Sequence, residues 1–360
     1  MGNVKKVRTA CRQCHGGCGV IAYVQDGRVI KVEGDPESPI SHGTLCSKGL
    51  SVTQMAYHPD RILHPMRKNA QGWERITWDE ALDTIVDKFN AVIEECGPES
   101  IVVGQGTGRD YESHLYRFAN QLGTPNVLTA GHMCYVSRVA STLVTVGNLP
   151  ICDYEGGPKC IVLWGCNPQW TNPDEYKGEG FWRAYKKGAK LICIDPRKGF
   201  TAKKADLWLQ LRPGTDAALA LGFHHVILEE ELYDREFTEN YINGWEAFME
   251  RVKAYPLDKV QEITWVDKEL IRKAARMYAK TKPACIHWGV PTEQTNNCAD
   301  CTRILTGLLA ATGNLDTPGG NVIYVNPPTR TVEEFSRHKD LSKEQRAKRL
   351  GGDQYKLGAR

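Results

Sequence analysis

The chain predicts an α/β protein: a small N-terminal β-rich unit followed by doubly wound, Rossmann-like α/β domains. Three observations carry this. Residues 7–34 alternate apolar and polar as half-buried strands do, and Asp26-Gly27 between two such runs is a hairpin turn signal. Residues 77–97 (TWDEALDTIVDKFNAVIEECG) repeat instead at helical period. From Lys159 onward short apolar strands alternate with helical segments, the pattern of a mostly parallel sheet covered by helices.

In chain order, Asp35-Pro36 and Ser38-Pro39 break the chain after the β unit. Thr77 suits the N-cap of the first long helix, Glu80 takes the capping-box position, and Gly97-Pro98 ends it. IVVGQGTG (101–108) reads as a buried strand with a glycine-rich exit, residues 111–122 as a helix and 126–128 as a short strand. CIVLWGCNP (160–168) is an apolar strand with its loop, followed by a helix around EGFWRAYKKG (179–188). LICIDP (191–196) and DLWLQLRPGT (206–215) are the next strands, and a helix starts at Asp216. Two or three further helices run to Lys282, then ACIHWG (284–289) forms a strand and CTRILTGLLAATGN (301–314) a helix. Beyond Gly319-Gly320 the strongly charged end shows no core face. The domains that follow are a β-rich domain over 1–60, the first part of an α/β domain over 61–150, a Rossmann-like domain over 151–315, and a return into the earlier α/β domain with a charged tail over 316–360.

The bulk properties exclude several classes. A net charge of +3 gives no basic footprint for nucleic acid. No apolar run is long enough for a membrane span. The start, MGNVKKVRTAC, lacks the apolar core of an export signal. The 13 cysteines are an odd number, and Cys160 and Cys193 lie singly in apolar runs. These read as buried core thiols in a reducing compartment, the cytoplasm.

Four other cysteines form a pattern: Cys11, Cys14, Cys18 and Cys46, spaced C-x2-C-x3-C-x27-C within CRQCHGGC and LCSKG. Four thiolates are what a 4Fe–4S cluster needs, one per iron. A structural zinc site usually pairs two C-x2-C knuckles, and here Cys46 stands alone. Glycines 16, 17 and 19 let the backbone approach inorganic sulfide without a Cβ. The N-terminal unit is therefore read as an iron–sulfur domain. Lys48, two residues after Cys46, is either a solvated lysine or a cation beside the cluster.

Three loops follow successive strands. Asn167 can donate to a ligand heterocycle or phosphate, or simply shape a βα turn. In Asp195-Pro196-Arg197, the arginine can clamp a phosphate and the aspartate accept from an amino or hydroxyl group. In Arg212, Gly214, Thr215 and Asp216, Thr215 can N-cap the helix and leave its N–H groups to an anion, and Asp216 can accept from a guanine N–H. Together they make a nucleotide-binding edge. No G-x-G-x-x-G or G-x4-G-K-[ST] is present, which disfavours nicotinamide and ATP. Cys134, in TAGHMCYVSR, precedes an apolar helix; a thiol there is either a buried side chain or a metal ligand, with His132 and Arg138 flanking it.

In order, CRQCHGGC…LCSKG, WERITWDEALD, GCNP, DPR, RPGTDAAL and TGNLDTPGG resemble the molybdopterin oxidoreductases of the dimethyl sulfoxide reductase type. The resemblance covers nearly the whole chain. It implies a 4Fe–4S cluster on Cys11, Cys14, Cys18 and Cys46, with Lys48 between cluster and pterin. It implies a bis(molybdopterin guanine dinucleotide) cofactor with molybdenum or tungsten, one guanine end of which lies on Asn167, Asp195, Arg197, Thr215 and Asp216. Cys134 occupies the region of the family's protein ligand to the metal, which a soft thiolate suits. Acetylene-hydratase-like and thiosulfate- or polysulfide-reductase-like members are similar, the first notably in RPGTDAALALG and EELYDREFTENY. The hydratase type has its catalytic Asp after the second cluster cysteine, where this chain has His15. Formate dehydrogenases carry His after the metal-binding residue, where this chain has Tyr135. The resemblance further implies a small-molecule substrate, an iron–sulfur electron-transfer subunit, and a complementing C-terminal half, possible as a separate chain.

Overall fold

The computed structural model describes residues 3–14, 16–106, 111–129, 134–171, 177–325 and 333–354. The chain divides into two compact units, residues 1–132 with 328–360, and residues 133–327.

The first unit opens on an antiparallel sheet, β1 (Lys5–Ala10), β2 (Gly19–Gln25) and β3 (Arg28–Gly34), in that order. Asp26 and Gly27 turn the β2–β3 hairpin with φ of 49° and 78°, the left-handed pair that a two-residue hairpin needs. Short helices α1 (Ser47–Leu50) and α2 (Val52–Ala56) follow, then the hairpin β4 (Met66–Asn69) and β5 (Gly72–Arg75). The long helix α3 (Trp78–Cys96) starts where expected, the Thr77 hydroxyl accepting from Glu80 N at 3.1 Å. Glu80 does not close a capping box through its side chain, because its carboxylate accepts from Arg67 Nη1 at 2.6 Å.

The expectation of a buried strand over 101–108 is corrected. Among the described residues 101–106 only β6 (Val103–Gly104) pairs, in parallel, with β7 (Val127–Leu128), and Val102 is 51% exposed, while residues 107–108 lie outside the described residues. A parallel pair is buried only when helices cover it, and α3, which leads into β6, buries no side chain. Between these strands lies α4 (Glu112–Leu122).

The second unit begins with α5 (Val136–Val146) and β8 (Pro150–Cys152). Its sheet is built from β9 (Cys160–Trp164), β10 (Lys190–Ile194) and β11 (Leu207–Leu209), with α6 (Pro168–Thr171), α7 (Lys177–Lys186) and α8 (Phe200–Lys204) between them. A long apolar helix, α9 (Asp216–Glu229), follows. Four helices then run to Lys280, more than the two or three expected: α10 (Arg235–Tyr241), α11 (Trp245–Lys253), α12 (Leu257–Thr264) and α13 (Lys268–Lys280). Turn chemistry divides them. Asp234 caps α10, Gly244 precedes α11 with positive φ, Pro256 precedes α12, and the Asp267 carboxylate accepts from Glu269 N and Leu270 N to start α13. The last elements are β12 (Ala284–Trp288), α14 (Cys298–Ala311) and β13 (Asn321–Ile323), which pairs antiparallel with β8.

The sheet order is β11-β10-β9-β12, all parallel. Both faces are covered, as a doubly wound sheet requires. Val162, Trp164, Ile192 and Ile286 pack against α9, α13 and α14 on one face. Ile161, Leu163, Leu191 and Cys285 pack with Phe181 and Ala184 of α7 on the other. Cys160 and Cys193 are fully or nearly fully buried, and burial pushes both thiols up to about 12. They are core side chains.

The charged end has a docking face after all. α15 (Glu333–Ser336) and α16 (Lys343–Ala347) return to the first unit, where Asn120 Nδ2 donates to Ser336 O at 2.7 Å and Leu341 is buried. A complete capping box between Ser342 and Gln345 starts α16. No helix among the described residues is long and apolar enough to cross a membrane.

Candidate functional site

The N-terminal cysteines sit where the β sheet hands over to loops. Cys11 follows β1 and its N–H donates to Cys18 O at 2.8 Å, closing the loop that carries Cys14. Gly16 N–H points at Cys14 Sγ, 3.4 Å away. Gly17 adopts φ +60°, a conformation that a side chain disfavours. Cys18 is buried immediately before β2, and Cys11, Cys14 and Cys46 are partly exposed. The chain leading to Cys46 folds back on that sheet: Asp35 N donates to Gly19 O and Gly43 N to Asp35 O, both at 2.9 Å. Gly34 and Gly43 touch so closely that a Cβ on Gly34 would lie 2.1 Å from Gly43 O. Cys46 is the N-cap residue of α1, and Lys48 within α1 is exposed. His15 lies outside the described residues.

The strand-end loops converge as the topology demands. Trp164, Ile194 and Leu209 lie in register at the carboxyl ends of β9, β10 and β11, so residues 165–167, 195–197 and 212–216 leave the same edge of one parallel sheet. This edge is where open α/β sheets bind ligands. Asn167 Oδ1 accepts from Thr201 Oγ1 at 2.8 Å, which fixes the amide. Asp195 Oδ1 accepts from Arg197 N at 2.7 Å in an Asx turn that presents the exposed Arg197. Arg212 is exposed, with its guanidinium over the Trp265 ring at 5.0 Å, and Gly214 takes φ +82°. Thr215 holds the N-cap position of α9, but its hydroxyl donates to Arg212 O at 2.6 Å and makes no cap. Asp216 is buried and accepts from Trp164 Nε1 at 2.9 Å. Its burial raises the carboxyl above its usual range, opposed by that indole hydrogen bond.

Cys134 is partly buried and lies just before α5, in the same unit as this sheet. His132 lies outside the described residues. Arg138, in the first turn of α5, is enclosed: its Nη2 donates to Trp288 O at 2.5 Å and pairs with the Glu293 carboxylate. Its guanidinium lies over the rings of Tyr135 at 5.6 Å and Trp288 at 5.2 Å. Thr201, Trp164, Trp288 and Glu293 escape the sequence reading. The last two follow from a signal that was available, because β12 ends at Trp288 and is a fourth strand of the same edge.

Residues 61–357 match the family model described as molybdopterin oxidoreductase, and residues 4–58 match the molybdopterin oxidoreductase Fe4S4 domain. The chain belongs to the molybdopterin oxidoreductase family, as its motifs implied. It is similar to acetylene hydratase of Syntrophotalea acetylenica, 36% identical over 97% of this chain and 49% of that protein. It is 33% identical to formate dehydrogenase H of Escherichia coli over 89% of this chain and 46% of the relative. The solved structure of acetylene hydratase from Pelobacter acetylenicus superposes with a TM-score of 0.83 at 36% identity, over 98% of this chain and 49% of that one. The chain thus spans about half the length of the curated relatives it matches.

The two matched domains are those of a molybdopterin cofactor and a 4Fe–4S cluster, and the chain carries side chains of the chemical type each group takes. Four cysteines outside any disulfide, one receiving a backbone N–H, are the number and type of donor a cubane takes, and among the described residues no three metal-ligating side chains are gathered at one point. At the sheet edge the buried Trp288 Nε1 and Arg138 Nε have no acceptor among the described residues. Buried donors require one, and the oxygens of a pterin nucleotide are acceptors.

Proposed function

We propose that this chain is the cluster-bearing half of a molybdopterin-dependent oxidoreductase acting on a small-molecule substrate. Cys11, Cys14, Cys18 and Cys46 hold the 4Fe–4S cluster. Cys134 ligates molybdenum or tungsten in a bis(molybdopterin guanine dinucleotide) centre. Asn167, Asp195, Arg197, Arg212, Gly214, Thr215 and Asp216 seat one guanine dinucleotide end. When bound, these groups supply two-electron chemistry at the metal and one-electron transfer at the cluster. The protein orients them. Arg197 and Arg212, both exposed at the sheet edge, neutralise phosphate charge. Asp216, held by Trp164, presents an acceptor for a purine N–H. Lys48 places a cation next to the cluster loop, on the path between cluster and pterin. His15 and His132, adjacent in sequence to Cys14 and two residues before Cys134, are the side chains suited to move a proton, and Arg138 adds a fixed positive charge beside Cys134.

The observation that carries this reading is the shared edge of the β11-β10-β9-β12 sheet, from which all three candidate loops leave, in the same unit as Cys134. The test is anaerobic purification with metal analysis and electron paramagnetic resonance. About four irons per chain with molybdenum or tungsten near one supports the reading, whereas iron alone makes the chain an electron-transfer subunit without its own active site.

A second reading is a non-redox hydratase on the same cofactor. It is favoured by the similarity to acetylene hydratase over 97% of this chain, and His15 stands against it at the position of that type's catalytic Asp. Substrate-dependent reduction of the cluster separates the two. Further partners are an iron–sulfur electron-transfer subunit and the half of the relatives' length that this chain does not match, supplied by the same polypeptide or a separate one. The 13 cysteines, none of them in a disulfide, suit the cytoplasm.

A further inference from the structure

We infer that the buried Arg138–Glu293 ion pair is a positioning device for Cys134, tying the first turn of α5 to the loop that leaves β12. The inference rests on the reading of Cys134 as the metal's protein ligand, and it adds the residues that hold that thiol in place. Arg138 lies one helical turn after Cys134, so a constraint on its guanidinium is a constraint on the start of the helix.

That constraint is made several times over. The Arg138 side chain is 11% exposed and the Glu293 side chain is fully buried, and the two are ion-paired. Arg138 Nη2 also donates to the backbone carbonyl of Trp288, the last residue of β12, at 2.5 Å. Ser137 Oγ donates to the Glu293 carbonyl at 3.2 Å, a second strap between the same two segments. The rings of Tyr135 and Trp288 both lie against the guanidinium, at 5.6 Å and 5.2 Å. Tyr135 is the N-cap residue of α5 and the neighbour of Cys134.

Energetics alone does not explain the arrangement. A buried ion pair loses most of its attraction to desolvation, and an apolar pair of similar volume is often as stable. What the pair supplies is a fixed geometry: a planar guanidinium donates to carboxylate and carbonyl oxygens only in set directions. The cavity that Arg138 shares with Leu149, Cys152 and Trp288 is small, about 10 Å³. β12 is a fully buried edge strand of the sheet, and its exit is locked to that of β9 by Gly289 N donating to Trp164 O at 2.8 Å. The tether therefore references the metal-ligating thiol to the same sheet edge that carries the nucleotide loops.

The test compares Glu293→Gln, Glu293→Asp and wild type in the purified full chain. Two readouts are local: the rate of Cys134 alkylation by iodoacetamide, followed by peptide mass spectrometry, and hydrogen exchange at the α5 amides. Glu293→Gln raises the alkylation rate at Cys134 roughly tenfold, the equivalent of about one tenfold step in an opening equilibrium, and leaves the exposed Cys96 unchanged. Glu293→Asp, which keeps the charge, restores much of the protection. Should Glu293→Gln not fold, the paired substitution Arg138→Met with Glu293→Leu keeps the volume without the directional bonds, and the same rise is expected. Wild-type alkylation and exchange in a folded variant overturn the proposal, as does an equal rise at Cys134 and at buried Cys301, which would report global loosening only. In metal-loaded protein, X-ray absorption at the molybdenum or tungsten edge then shows a weakened protein-sulfur contribution in Glu293→Gln and its loss in Cys134→Ser. If Cys134→Ser leaves that contribution intact, the ligand assignment fails, while the alkylation result still judges the tether.

Discussion

Gly289 shows how much the candidate site depends on single atoms. It follows β12, donates its N–H to Trp164 O, and passes so near the β9 exit that a Cβ would lie 2.2 Å from Gly165 O. Backbone cannot yield as a flexible side chain can. Gly289→Ala is therefore expected to destabilise the second unit by about 1–3 kcal/mol, seen as a lower midpoint in urea unfolding, while Gly106→Ala, with open space around its Cβ, leaves the midpoint in place. Equal midpoints for the two would show that the strand exits separate freely. The cluster loop gives a second prediction at this scale. If the four cysteines each take one iron, Cys14→Ser or Cys46→Ser lowers iron content and visible absorbance after anaerobic purification, and Cys96→Ser, on an exposed thiol, changes neither. The cysteine motif was open to sequence reading because its meaning is in the spacing. The surroundings of Arg138 were not, because its carbonyl acceptor on Trp288 is 150 residues away and nothing local marks it.

Among the elements, α9 and α14 share a buried titratable group. His224 of α9 is fully buried, its Nε2 is 3.0 Å from Ile304 O of α14, and its ring meets Phe248 of α11 edge-on. Burial lowers its pKa from 6.5 to about 4. A histidine whose folded pKa is depressed is neutral in the fold and charged in the unfolded chain. Its contribution is thus complete above pH 6.5 and is lost as pH falls toward 4. The loss is on the order of 3 kcal/mol, measurable as a falling urea midpoint across that window. His224→Gln, which can still donate to Ile304 O but does not titrate, flattens the profile, and an unchanged profile in that variant would assign the acid sensitivity to other groups. At this scale the sequence reading succeeds where an element is set by its own residues. α3 has its cap, stripe and Gly-Pro stop within one segment, and the strands of the parallel sheet are short apolar runs with turn signals between them. It fails at residues 101–108, because the burial of a strand depends on a cover that other parts of the polypeptide supply. It miscounts the helices between α9 and β12 because Gly244, Pro256 and Asp267 divide a continuous helical pattern into shorter pieces than the period reveals.

Across the whole molecule the two units differ in how fully they bury themselves. The doubly wound sheet has apolar clusters on both faces, whereas the first unit carries a long amphipathic helix with nothing buried. Trp78, Leu82, Ile85 and Val86 of α3 are 66%, 52%, 48% and 53% exposed, and Ile62, Leu63, Met66 and Trp73 line an apolar depression with Trp78 beside its start. A helix whose apolar stripe faces solvent along its length is a surface awaiting a partner. The relatives are about twice as long as this chain. The consequence can be measured on the chain alone. Leu82→Glu and Val86→Glu each remove an apolar contact with water and not with protein, so each is expected to shift stability by no more than about 0.5 kcal/mol. Both should reduce dye binding by exposed apolar surface and lower the tendency to self-associate, read by anilinonaphthalene sulfonate fluorescence and sedimentation velocity. Ile192→Glu, in the parallel sheet, serves as the contrast and should abolish folding, because it places an unpaired charge in a fully buried core. If Leu82→Glu unfolds the chain as Ile192→Glu does, α3 is already covered. If it leaves stability alone and suppresses association, the stripe is an interface.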